Sequence, residues 1–370
     1  MKACNREGDT QLCMAMEKLG LLQETEGSID SSKNTLSDAY RLWEAAVGHD
    51  DLRTAVAVWK LGRVLDKQGS KEAAMQCYRE CLRVQKLNLP SGDHNIADTL
   101  SSMGTNLSES EEYEEAIKCF QQALSIQRNA YGDNSLIVAS TLHSLAKGYQ
   151  EVGSFDKSVV CFKEALRISK SAGEENFKEI SEISFGIALS HEANNNYQAA
   201  ITHFTEALRT WKATSADDSR IPIALQKLGN VYSKAGDNSQ AIVSYTNALD
   251  ILGEQDGTDK KLMAMVLSGL ARSYFLTGSH DCAIEMYQRH IDLLQSDSEN
   301  RESVAESLCA MGSIYARLGN HDDATLHFKD CLLVRTKCFG RDDERVGKVP
   351  MNMGNVYDKS EDLNAARDCY

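Results

Sequence analysis

A pattern of small and aromatic residues returns along this chain about every 42 residues, and few folds can absorb it. In the stretch from Ile96 to Arg128 the fixed points are Gly104, Ala116, Phe120 and Ala123. One period on they are Ala146, Ser158, Phe162 and Ala165; one period back they are Gly62, Ala74, Tyr78 and Cys81. Each unit reads as two amphipathic segments, broken here at Ser110-Glu111-Glu112. One helix pair cannot cover its own apolar face, so self-similarity at a period of about 40 means that neighbouring pairs stack into a solenoid.

Nine copies align. The small residue of the first helix falls at Gly20, Gly62, Gly104, Ala146, Ala188, Gly229, Ala271, Gly312 and Gly354. Seven residues later the chain turns, at Gly27, Gly69, Glu111, Gly153, Asn195, Gly236, Gly278, Gly319 and Glu361. Glycine and asparagine suit a left-handed helix C-cap. Glu111 and Glu361 do not, so those turns are expected to change geometry or carry strain. The second helix opens on a small residue (Ala39, Ala74, Ala116, Ser158, Ala200, Ala241, Ala283, Ala324, Ala366) and carries an aromatic four residues on. These aromatics are Trp43, Tyr78, Phe120, Phe162, Phe204, Tyr245, Tyr287, Phe328 and Tyr370. Small residues let two helices approach, and the aromatic fills the space between that pair and the next.

The expectation is an all-α fold: a right-handed α-solenoid of antiparallel helix pairs, about nine units with the last incomplete, its first helices lining an inner groove. A polar segment, 1–12, leads an array over 13–370. Its units lie near 13–48, 54–87, 96–129, 138–170, 180–212, 221–252, 263–295, 304–336 and 346–370. In the first copy Ala39 lies 12 positions after Gly27, so Ser28 to Thr35 is expected to be an inserted loop. The acidic linkers Ser171–Asn176, Thr214–Ser219, Gly253–Lys260 and Ser296–Glu302 are expected to be solvated. Pro350 is expected to delay or kink its helix. The chain stops part-way through a second helix, with no capping element, which reads as a fragment or an incomplete gene model.

Composition excludes several classes of function. The net charge of −14 disfavours nucleic acid and anionic membrane as partners. No apolar run approaches the roughly 18 residues of a membrane span. Met1 to Thr10 has no apolar signal core, so a cytoplasmic location is expected. The 11 cysteines are odd in number, lack a Cys-x-x-Cys pair and recur at repeat-equivalent sites such as Cys77, Cys119, Cys161 and Cys369. They read as packing residues rather than disulfides or zinc ligands. The histidines are scattered; His203, His290 and His327 occupy packing positions. With no phosphate loop, nucleophile elbow or calcium loop, the chain is read as non-enzymatic, without metal or cofactor. The Asn106-Leu107-Ser108 sequon falls inside a helix and is discounted.

The fixed points resemble the tetratricopeptide repeat (TPR) from about Cys13 onward. Leu61-Gly62, Leu228-Gly229, Met311-Gly312 and Met353-Gly354 are similar to its Leu-Gly pair. Tyr149, Tyr232, Tyr274, Tyr315 and Tyr357 are similar to its tyrosine three residues later. The closing proline of many such repeats is missing, and the period exceeds the common 34. Gly340-Arg341-Asp342-Asp343-Glu344-Arg345-Val346 and Gly92-Asp93-His94-Asn95-Ile96-Ala97 resemble the inter-repeat segment of kinesin light chains, and nephrocystin-like proteins share the style. Tyr131-Gly132-Asp133 leading to Val138-Ala139 resembles it more loosely. The resemblance implies a cargo-adaptor role. Kinesin light chains carry a heptad coiled coil that binds the motor; Met1 to Lys18 is too short and unpatterned for one. Kinesin heavy chain is therefore a partner only if a coiled coil lies upstream.

Positions one and five after the small residue of the first helix are expected to face the groove. Across eight copies they hold seven basic residues (Arg63, Lys67, Lys147, Lys234, Arg272, Arg317 and Lys359) and two acidic, Glu109 and Glu151. The whole chain has 40 basic and 54 acidic residues. A basic stripe within an acidic molecule favours an acidic or extended peptide. Asn230 and Asn355 are placed to hold its backbone, and Trp59, one turn before Gly62, to serve as an aromatic anchor. A chaperone-type carboxylate clamp is incomplete, since Gln226 stands where it has lysine. The reading is a protein-interaction scaffold or adaptor; the alternative is a regulatory or oligomerisation module of a larger signalling protein.

Overall fold

The computed structural model describes residues 2–173, 177–215, 218–254, 259–295 and 300–369, with side chains from Thr10 to Arg367 apart from Glu254. Every regular element of any length among them is an α-helix, and the chain divides into two compact units, Met1–Asn194 and Asn195–Tyr370. The first unit holds α1 (Lys2–Thr25), α2 (Ile29–Val47), α3 (Leu52–Lys67), α4 (Lys71–Asn88), α5 (His94–Glu109), α6 (Tyr113–Tyr131), α7 (Leu136–Glu151), α8 (Phe155–Ser171) and α9 (Phe177–Ala193). The second holds α10 (Tyr197–Thr214), α11 (Arg220–Lys234), α12 (Asn238–Glu254), α13 (Lys260–Leu276), α14 (His280–Leu294), α15 (Arg301–Arg317), α16 (His321–Phe339), α17 (Glu344–Lys359) and α18 (Leu363–Cys369). Within each unit consecutive helices pack on one another in chain order, and alternate first helices touch: α3 with α5, α5 with α7, α11 with α13, α15 with α17.

Local chemistry sets the helix ends. Asp51, Asp93, Ser135, Asp259 and Asp343 cap first helices, each side chain accepting the backbone N–H two residues on. This cap satisfies a donor that the helix leaves open. Gly48, Gly132 and Gly340 each end a second helix with positive φ, three residues before the next cap. The Gly-x-x-Asp/Ser spacing is therefore a hinge between repeats. Inside the pairs, Gly69 (φ 83°) donates to the Asp66 carbonyl and Ser70 to that of Leu65. Glu111 (φ 64°) and Glu112 make the same two bonds, to Ser108 and Leu107. Geometry is thus unchanged at Glu111 and at Glu361 (φ 63°), and each glutamate carries the left-handed strain, roughly 1–2 kcal/mol.

The aromatic column packs as the periodicity requires. A methyl added to Gly104 would sit 2.7 Å from Phe120, and one on Gly229 2.6 Å from Tyr245. The same Tyr245 ring lies against Gly269 of the following repeat, and Phe162 lies against Gly186. Each ring is held between its own first helix and the next, nearly free of solvent.

The first repeat departs from expectation. Ser28 to Thr35 is not a loop: α2 begins at Ile29. Ser32, 12 residues after Gly20, is the small residue, and its hydroxyl donates to the Gly20 carbonyl at 2.7 Å. Ser158 does the same to Ala146 at 2.8 Å. Leu36 takes the aromatic position, since a methyl on Gly20 would meet its Cγ at 2.6 Å. Ala39 matches Ala123 and Ala165, and Trp43 matches Trp211; all are buried. The misreading has a physical cause. Trp43 lies seven residues, two helical turns, beyond the true position and shares its face. Pro350 does not delay its helix: α17 starts at Glu344 behind the Asp343 cap and runs through the proline, burying Val346 and Val349. Tyr370 and residues 174–176, 216–217, 255–258 and 296–299, the last four stretches falling within the acidic linkers, lie outside the described residues.

Candidate functional site

In the first unit α3 presents Trp59, Arg63 and Lys67 at four-residue spacing, one above the other. The Arg63 guanidinium lies over the Trp59 ring, 5.2 Å from its centroid. Trp59 Nε1 donates to Ser102 Oγ on α5 at 3.1 Å. These side chains line a cavity of about 360 Å³ floored by Tyr78. Its cations are already engaged. Glu24, on α1 and 7% exposed, accepts from Arg63 Nη2 at 3.0 Å and from Lys67 Nζ at 2.5 Å. On the same wall Lys71 pairs with Glu109 and with Asp66. Lys147 lines the adjoining cavity of about 300 Å³ together with Glu109 and Glu151. Its charge, after burial, helps push the His143 imidazole one turn away down to about 4. The first unit thus balances its own stripe of basic residues.

The second unit is arranged differently. Asn230 and Lys234 of α11, Arg272 of α13 and Glu306 of α15 line one cavity of about 430 Å³, backed by Tyr245 and Tyr287. Tyr245 donates its hydroxyl to Asn230 Oδ1 at 2.6 Å. Arg272 is exposed, and among the described residues no carboxylate lies within ion-pairing distance of it. Burial raises the Tyr287 hydroxyl, and the nearby Arg272 charge opposes that rise. His290 of α14 sets its ring against Ser307 (3.0 Å) and Ser303 (3.3 Å) of α15, and burial lowers its proton affinity.

Of the residues expected to face a groove, the structure brings together Trp59, Arg63 and Lys67 in one place and Asn230, Lys234 and Arg272 in another. Arg317 stacks 4.6 Å over the Phe275 ring instead. Asn355 and Lys359 are exposed on α17. Glu306 and Met265 line the second cavity without having been singled out, and Tyr287, read as a packing aromatic, lines it too. Met265 and Glu306 both lie six residues before the small residue, a helical step from the positions considered, and that spacing was a usable signal. Asn106 of the discounted sequon is buried and donates to Asp66 and to the Lys71 carbonyl.

The sequence profile of the tetratricopeptide repeat matches residues 11–86, 95–171, 179–254, 221–296 and 262–332, most of the chain. The chain belongs to the tetratricopeptide repeat family. The TPR architecture, an α-solenoid of consecutive helix pairs, supports a role as a protein-interaction scaffold. Comparison with curated proteins gives no match. Among solved structures it is similar to the apo form of RapI (14% identity, TM-score 0.66, 97% of this chain and 95% of that one). The apo quorum sensor NprR from B. thuringiensis is similar too (15%, 0.58, 95% and 97%). So are the nearly identical TPR-like repeats of a Podosopora anserina protein assigned as a kinesin light chain (14%, 0.50, 56% and 98%). At these identities the likeness is one of fold. No helix among the described residues is long and apolar enough to cross a membrane.

Proposed function

We propose that this TPR protein is a non-enzymatic adaptor, working in the cytoplasm, that holds an extended acidic segment of a partner protein along its first helices. The carboxylate-reading position is the cavity of the second unit, where Arg272 and Lys234 supply charge and Asn230 supplies an amide donor. The observation that carries this reading is Arg272, an exposed cation in a cavity of about 430 Å³ that, among the described residues, has no carboxylate within ion-pairing distance, although Glu306 lines the same cavity. Arginine suits the task because its planar fork meets a carboxylate with two parallel hydrogen bonds. The first unit is the weaker candidate, since Glu24 already occupies Arg63 and Lys67.

The test is fluorescence anisotropy with a labelled Glu-rich extended peptide and its Gln-substituted counterpart, against the parent protein and Arg272→Glu. The parent is expected to prefer the Glu peptide and to lose affinity as salt rises. Charge reversal should weaken binding about tenfold, near 1.4 kcal/mol. Equal binding of both peptides by both proteins overturns the proposal.

Alignment along nearly the whole chain with RapI and NprR, against 56% with the kinesin light chain repeats, favours a second reading: a regulatory module of a larger signalling protein. Mass measured by light scattering across a range of concentrations separates an oligomerising module from a monomeric adaptor.

A further inference from the structure

The thiols of Cys309 and Cys331 meet in the second unit, on facing helices of one repeat. Cys309 lies on α15 and Cys331 on α16, and their Sγ atoms are 2.7 Å apart. A covalent pair sits at about 2.05 Å, so the gap to a bond is a fraction of an ångström. Cys331 is fully buried, whereas Cys309 is partly open to solvent. Of the other cysteines whose side chains are described, Cys282 is exposed, and all are free thiols. We infer that Cys309 and Cys331 form a peroxide-sensitive thiol pair that closes to a disulfide and locks α15 onto α16.

The two thiols have different parts. Contact with the Cys331 thiol lowers Cys309, and Arg335, one turn beyond Cys331, adds positive charge; burial and Glu306 oppose this. The same contact, in which either thiol can donate, together with burial raises Cys331. Cys309 is partly open to solvent and Cys331 is fully buried, so Cys309 is the attacking sulfur and Cys331 the resolving one. In the first step the Cys309 thiolate attacks one oxygen of hydrogen peroxide. The O–O bond breaks, the second oxygen leaves as water with a proton, and Cys309 becomes a sulfenic acid. In the second, Cys331 attacks Cys309 Sγ, the S–O bond breaks, and hydroxide leaves as water with the Cys331 proton. Two thiols and one peroxide give one disulfide and two waters.

The clasp has a place in the cavity described above. Ser303, Glu306, Ser307 and Ala310 of α15 form one of its walls, and Cys309 is the neighbour of Ala310 on that helix. Oxidation would fix this wall to α16, and reduction would release it.

The experiment treats the full chain with graded hydrogen peroxide, blocks remaining thiols with a maleimide, and maps a non-reducing digest by mass spectrometry. The expected result is a Cys309–Cys331 cross-linked peptide that dithiothreitol abolishes. In Cys331→Ala, checked for helical circular dichroism, dimedone should instead trap a sulfenic acid at Cys309. The oxidised parent should also melt at a higher temperature than the reduced one. If Cys309 and Cys331 both remain maleimide-reactive at peroxide levels that oxidise Cys282, the inference is overturned. A cross-link from Cys309 to any other cysteine overturns it equally.

Discussion

The Ser32 hydroxyl donates to the backbone carbonyl of Gly20, 12 residues earlier, across 2.7 Å inside the first helix pair. That bond fixes the register of the pair and sets Leu36 against Gly20. Alanine serves at this position in other repeats, so Ser32→Ala should cost only about 1 kcal/mol, the worth of one hydrogen bond. Leu36→Ala should cost roughly 2–5 kcal/mol through the cavity left behind. Urea unfolding followed by circular dichroism measures both; a Leu36 variant as stable as the Ser32 variant would show that the register is wrong.

Gly229 and Tyr245 make the same kind of contact further along. Gly229→Ala places a methyl 2.6 Å from the ring, which is boxed in by Gly269 on its other side. Overpacking of this sort costs roughly 1–3 kcal/mol. Gly253→Ala, where nothing lies within 4 Å of the added carbon, is the control and should be neutral or slightly stabilising. Thermal melts that fail to separate the two would refute the packing argument.

Glu111→Gly removes a left-handed non-glycine residue without altering the two turn hydrogen bonds that follow. A gain of about 1 kcal/mol is expected, the strain released less the added freedom of the unfolded glycine. Asn195→Gly should gain less, because asparagine tolerates φ 58° better than glutamate tolerates φ 64°. An unchanged or lowered denaturation midpoint for Glu111→Gly counts against strain at this turn.

Glu24 gathers Arg63 and Lys67 from a buried position. Both cations are substantially solvated, so Glu24→Gln should cost only about 1–2 kcal/mol. Lys67→Glu should cost more, since it sets a second carboxylate beside a buried one. Matched unfolding curves give the comparison; a Lys67→Glu protein as stable as its parent would mean that this lysine is an ordinary solvated side chain.

His143 makes stability depend on pH. Burial, aided by Lys147, lowers its proton affinity from 6.5 to about 4 in the folded chain. Above pH 6.5 the imidazole is neutral in both states and its contribution is fully present. As pH falls from 6.5 toward 4 the unfolded chain takes the proton first, and stability is lost. About 2 kcal/mol should disappear between pH 7 and pH 5. His143→Gln should show a smaller loss over the same interval; parallel melting-temperature profiles would exclude His143 as the source.

Much of the fold was legible because its code is short in range. Gly104, Ala116 and Phe120 mark one helix pair, and the Asp51, Asp93 and Asp343 caps lie next to the helices they open. Where the reading slipped, at Trp43, two residues on one helical face differed by two turns, and sequence spacing alone cannot rank them. The candidate site was legible only as a set of positions. Of those positions Trp59, Arg63, Lys67, Lys147, Asn230, Lys234 and Arg272 line the cavities described, whereas Arg317, Asn355 and Lys359 do not.

Helical pairing, repeat length, turn positions and the aromatic column follow from the sequence by itself. Each depends on hydrogen bonds and same-face contacts within a few turns of backbone. Tertiary structure decided which charges and thiols remain available. Glu24 reaches Arg63 across 39 residues of chain, and Cys331 meets Cys309 across 22. Such pairings depend on where long side chains end in space, and helical periodicity specifies the direction in which a side chain leaves its helix without naming the group that waits at its tip.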